Sequence, residues 1–195
     1  MPHRRATALL FLIATLLVPA ATSSAAPGKR GKVRAKYALQ QECANADLMP
    51  TAANERAIRA AILCLHNRIR AERGLPALRE DGRLRKAAER HSADMVSRGY
   101  FEHTAPGGAT MVDRIMAARY VPRRAGWALG ENLAWGTGSL ATPRLIMRAW
   151  MESPGHRANV VKRAYRELGI GVVMGTPSSG RAGATYTANF GVIRR

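Results

Sequence analysis

Leu168-Gly169-Ile170-Gly171-Val172-Val173-Met174 and Ala184-Thr185-Tyr186-Thr187-Ala188-Asn189-Phe190-Gly191-Val192 decide the fold. Both runs favour extended backbone, and the Gly/Ser/Pro-rich stretch from Gly175 to Gly183 joins them. The pattern predicts two antiparallel strands on a hairpin. Upstream the apolar period changes. Ile58, Ile62, Leu65 and Ile69 recur at helical spacing between a cap at Thr51 or Asn54 and Arg73, with Gly74 as the stop. After the connector Leu75-Pro76-Ala77-Leu78, Asp81 opens a second helix that closes at Gly99 and carries Leu84, Ala88, His91 and Met95 on one face. Helices are also expected from about Ala109 to Arg119, with Met111, Ile115 and Ala118 inward, and from Ala141 to Met151, with Pro143 in the first turn. A further helical turn is expected in residues 158–166. Leu129 to Trp135 reads as a short strand. Early helices and late antiparallel strands predict a layered α+β domain.

The N-terminus is of a different kind. His3-Arg4-Arg5 precedes an apolar run from Ala6 to Val18, then Pro19 and the small residues Ser24-Ala25-Ala26. Residues 1–26 therefore read as a signal peptide, which makes the protein extracellular or cell-wall associated. An uncleaved anchor is the other option for this segment. No later run is long enough to span a bilayer. Residues 27–50 read as a basic flexible tail and N-terminal segment, and 51–195 as one domain, expected to be monomeric. In an oxidising compartment, Cys43 and Cys64 are expected to pair as a disulfide stapling this segment to the first helix.

The formal net charge is +18 over 195 residues. That balance favours acidic partners: lipid head groups at a membrane surface, an anionic cell-wall polymer or nucleic acid. The cations are spread along the chain rather than gathered in one strip, and aromatics make up only 6% of residues. A sequence-specific nucleic-acid reader is not expected. Zincin, nucleophile-elbow, phosphate-loop and dinucleotide signatures are all absent.

Three short strings bear the chemistry: Phe101-Glu102-His103, Gly130-Glu131-Asn132 and Ser153-Pro154-Gly155-His156. Two imidazoles and a carboxylate suit proton transfer, a metal ion or a polar ligand head group. Each string alone also reads as a turn or a filled polar gap. His91, on an apolar stripe, reads as a core or pocket-rim histidine.

Taken in order, these strings resemble the CAP superfamily, the SCP-like extracellular domain, in its bacterial secreted branch. The likeness also uses Leu65-His66-Asn67-Arg68-Ile69-Arg70, His91-Ser92-Ala93-Asp94-Met95, Trp150-Met151-Glu152 and Gly169-Ile170-Gly171, and it covers about Ala57 to Gly191. The resemblance implies a three-layer α-β-α sandwich with a small antiparallel sheet and a surface cavity lined by two histidines and two acids. His103, His156 and Glu131 match that set. Where the animal and plant branch has its second acid, this chain has Ser153; Glu152 is adjacent but turned about 100° round a helix. Asn132 and Ser153 complete the candidate ligand-binding set.

Two function classes follow. In the first, the cavity binds a lipid, sterol, glycan or peptide without turnover. In the alternative, His103, Glu131 and His156 form a hydrolase centre, metal-assisted or not, acting as a peptidase or nuclease. No strong nucleophile is present, so binding is preferred. No cofactor is required, although His103 and His156 admit a divalent cation such as zinc. A carboxylate between two imidazoles predicts that both titrate near neutrality or above.

Overall fold

The structure, a computed structural model, describes residues 42–122, 124–178 and 182–194. Residues 1–26, read above as a signal peptide, and the tail up to residue 41 lie outside the described residues. So does part of the stretch between the last two strands. Among the described residues, no helix is long and apolar enough to cross a membrane.

Among the described residues, five α-helices and four strands follow in the order α1 (Glu55–Glu72), β1 (Arg79–Glu80), α2 (Gly82–Arg98), α3 (Met111–Ala117), β2 (Gly126–Thr137), α4 (Pro143–Glu152), α5 (Pro154–Val160), β3 (Glu167–Met174) and β4 (Gly183–Arg194), with a short 3-10 turn at Gly138–Ala141 before α4. The sheet order is β1-β3-β4-β2. β2, β4 and β3 are antiparallel, and the two-residue β1 adds a parallel edge, so the sheet is mixed. That edge was missed because two residues carry no alternation to read. β2 is longer than Leu129 to Trp135, since pairing with β4 from Gly126↔Arg194 to Thr137↔Gly183 organises its polar and glycine ends.

Alternation along the strands sorts the layers. Ile170, Val172, Tyr186, Ala188 and Phe190 join Ile58, Ile62 and Leu65 of α1 and Ile146 and Trp150 of α4 in the main core. The opposite face is flatter and more polar. There α2 lies directly on β3: a Cβ at Gly169 would stand 2.1 Å from the Arg85 nitrogen, and one at Gly171 2.3 Å from the Ala88 carbonyl carbon. Ser92 and Thr187 share a 2.8 Å hydrogen bond across this layer, and Leu84, Ala87, Ile115 and Tyr120 form a second core beside it.

The ends of α2 follow the sequence. Asp81 accepts hydrogen bonds from the N–H groups of Arg83 (2.8 Å) and Leu84 (3.2 Å), and Gly99 takes the left-handed conformation at φ 67°. The second expected boundary moves. Pro154 does not merely end α4; it occupies the first turn of α5, where its missing N–H costs nothing. Ser153 is the extended joint between the two helices.

Cys43 and Cys64 form a disulfide. A bridge across a separation of 21 residues contributes about 3 kcal/mol in the chain-entropy picture. Its segment is further held by the Arg144–Asp47 ion pair at 2.7 Å and by the bond from the Arg144 N–H to the Ala46 carbonyl. Residues 42–50 are therefore packed against the helical layer. Arg70 is wholly buried, and among the described residues it has no carboxylate partner. Its guanidinium instead donates to the carbonyls of Pro76, Val160, Lys162 and Tyr165, tying two connectors to α1.

Candidate functional site

Glu131 lies on β2 opposite Asn189 of β4 and so faces the polar layer under α2. Its side chain is only 2% exposed. A buried carboxylate needs charge-assisted partners, and it has them. Arg114 of α3 reaches both oxygens through Nη2, at 3.0 and 2.9 Å, and His103 Nδ1 lies 2.9 Å from Oε1. With its amide nitrogen turned toward the carboxylate, Asn189 donates to Oε2 at 3.1 Å and accepts from the Ala88 N–H.

Arg114 also organises the loop that carries His103. Nη2 donates to the His103 carbonyl at 2.9 Å, and Nη1 donates to the Ala109 carbonyl at 3.0 Å. Its Nε is buried without a partner. Behind the loop, His91 Nε2 lies 3.0 Å from the Glu102 carbonyl, and Tyr100 donates to Asp94. His91 is buried and acts as the support of the His103 loop.

His156 arrives from the other layer on α5. Asn132 is fully buried; its Nδ2 donates to the His156 carbonyl at 3.0 Å and its Oδ1 accepts from Asn159 Nδ2 at 2.9 Å. Asn159 Nδ2 also lies 3.2 Å from the Glu131 carbonyl. Asn132 is thus a bracket between β2 and α5 rather than an exposed ligand contact. Gly130 permits the bracket, because a Cβ there would stand 2.3 Å from the Tyr165 hydroxyl and 2.8 Å from Asn159 Oδ1. Ser153 holds the α4–α5 joint, and Glu152 is exposed at the end of α4.

The two histidines titrate in opposite directions. The hydrogen bond to Glu131 raises the pKa of His103 above its ordinary value, against partial burial. Burial, and then the charge of His103, lowers that of His156. The expectation that both titrate near neutrality or above holds only for His103, because Glu131 touches one ring and not the other. Glu131 thus favours the protonated form of His103, whose side chain is 57% exposed, while burial favours the neutral form of His156.

Arg114 is what the sequence reading missed. Its signal was indirect: a carboxylate buried on a strand requires a cation. The guanidinium also changes the metal question. Among the described residues, no group of three or more His, Cys, Asp or Glu side chains is placed to hold an ion. Glu131 is committed to Arg114 and His103, and a cation beside it would meet the guanidinium charge. These residues fit a resident metal poorly. Among the described residues, cavities of about 710 and 600 Å³ open elsewhere, and neither is lined by His103, Glu131 or His156.

Residues 63–190 match the sequence model of the family described as CAP, cysteine-rich secretory protein family. The chain is 32% identical over 126 residues to the uncharacterized protein YkwD of Bacillus subtilis (strain 168), covering 65% of this chain and 44% of that one. It spans less than half the length of the curated relatives it matches. A solved extracellular protein containing a SCP domain from Bacillus anthracis str. Ames superposes with TM-score 0.56 at 27% identity, over 75% of this chain and 45% of that one. An outer surface protein from Borrelia burgdorferi superposes with TM-score 0.57 at 19% identity, over 72% of this chain and 96% of that one; that likeness is one of fold.

Proposed function

Because the chain belongs to the cysteine-rich secretory protein (CAP) family, we propose that it works outside the cell as a binding module. It takes the polar head of a small ligand (a lipid, sterol, glycan or peptide) at the β2 rim and does not turn it over. One observation carries this reading. Glu131, the acid a hydrolase would use as base, is buried with both oxygens engaged by Arg114 and His103. A general base needs a free acceptor within reach of substrate. What faces outward is the His103 ring, whose protonated form Glu131 favours, with His156 coupled to it. Such a pair suits a carbonyl, hydroxyl or anionic head group.

The hydrolase alternative keeps one supporting feature: two imidazoles whose pKa values are pushed in opposite directions suit a base and an acid. Native mass spectrometry of secreted protein separates the two. The binding reading expects a co-purifying small molecule that is lost in His103→Ala, with intact casein, DNA and wall fragments after prolonged incubation. Cleavage of any of these by wild type, abolished in His156→Ala, would replace it with the enzyme reading. Zinc offered in the same experiment is expected to bind weakly, since solvent must complete any shell built on two imidazoles.

A further inference from the structure

The cavity of about 710 Å³ lies at the Gly126 end of β2, and neither His103, Glu131 nor His156 lines it. It opens where β1, β3, the end of β4 and the approach to β2 meet, and Ile193 pairs with Trp127, four residues before Glu131. Its floor is apolar: Tyr120, Pro122, Ala125, Val192 and Ile193. Its rim carries four arginines, Arg79, Arg83, Arg124 and Arg166, and one acid, Glu167.

Carboxylates consume only part of this charge. Arg83 is clamped by Asp81, with Nη2–Oδ2 at 2.6 Å, and lies over the Tyr120 ring at 5.2 Å. Arg79 lies 3.5 Å from Glu167, whose other oxygen accepts from the Tyr120 hydroxyl at 2.5 Å. Arg166 spends Nη1 on the carbonyls of Arg163, Ala164 and Tyr165, which fixes the side chain without neutralising it. Among the described residues, neither Arg124 nor Arg166 has an acidic partner. Four guanidiniums against Asp81 and Glu167 leave an excess of two positive charges over an apolar floor.

We propose that this cavity is an anion-binding site for a phosphate monoester on an apolar or ring-bearing body. The dianion matches the excess charge, and guanidinium forks suit phosphate oxygens. The body rests on Tyr120, Val192 and Ile193. The volume falls within the range of small-molecule sites. The site is independent of the β2 rim and stands whether or not the rim binds a ligand.

Calorimetry with phenyl phosphate and with inorganic phosphate tests the proposal, alongside flotation with vesicles of phosphatidic acid in phosphatidylcholine. Phenyl phosphate is expected to bind about tenfold more tightly than inorganic phosphate, since only it covers the floor. Arg79→Ala/Arg124→Ala should weaken phenyl phosphate about tenfold or more. The charge-matched Arg56→Ala/Arg68→Ala should stay within about twofold of wild type. Phosphatidic acid binding that depends on Arg79 and Arg124 identifies a lipid source for the phosphate; its absence, with phenyl phosphate still bound, identifies a soluble one. Equal losses in the two double variants, or equal affinity for the two phosphates, overturns the proposal.

Discussion

His66 offers a direct test of how burial sets stability in this protein. The ring is fully buried between Trp150 and Phe190, with centroids at 5.7 and 5.5 Å. Nδ1 lies 2.8 Å from the Ile62 carbonyl, and Nε2 has no partner. Burial lowers its pKa from 6.5 to about 4, opposed by the Ile62 bond and reinforced by the charge of Arg70. As pH falls below 6.5 the unfolded chain takes up this proton first, and the folded chain does so only near 4. Stability from this group is therefore intact above the unfolded value and is lost between the two. At about 1.4 kcal/mol per tenfold mismatch, the loss is about 3 kcal/mol. Replacing His66 by Leu removes the titrating group at similar volume. Urea unfolding of wild type and His66→Leu near pH 7, 5.5 and 4 measures the difference, with the other ionisable groups common to both proteins. The variant should gain about 3 kcal/mol relative to wild type across that range. A gap that does not change with pH refutes the reasoning.

Other expectations follow from particular contacts. Arg70→Lys cannot reproduce four bonds from one planar group, so a loss of about 3 kcal/mol is expected in the same unfolding assay; a loss below about 1 kcal/mol would show the connectors hold without it. Gly171→Ala drives a methyl against the backbone of α2, and about 3 kcal/mol should be lost, whereas the same change at exposed Gly155, with open space around it, should cost little. Arg114 lowers the pKa of His103 through its charge. In Arg114→Gln the His103 imidazole should titrate higher than in wild type by NMR, and an unmoved titration would show the guanidinium does not control the site. Stability contributed by the raised His103 pKa is fully present below the unfolded value of 6.5 and fades as pH rises through the raised folded value, which urea midpoints of wild type and His103→Ala across that range would measure.

Much of this architecture was legible along the chain because it depends on near neighbours. The faces of α1 and α2, the caps at Asp81 and Gly99, the two late strands and the pairing of two cysteines follow from local period, backbone preference and thiol count. The family resemblance, carried by ordered motifs, singled out His103, Glu131 and His156. Contacts made across the fold were not legible. Nothing near Arg114 distinguishes it from the other 30 Lys and Arg residues, and its partner lies 17 residues further on. Only the packing of α3 beside β2 makes it the counter-ion of a buried acid. The same holds for Arg70, whose carbonyl partners lie up to 95 residues away, and for Asn132, which became a bracket once α5 was laid beside β2. The opposed titration of His103 and His156 is likewise tertiary. Sequence supplied two imidazoles of equal intrinsic basicity; burial, and a carboxylate reaching only one of them, pushed their pKa values apart.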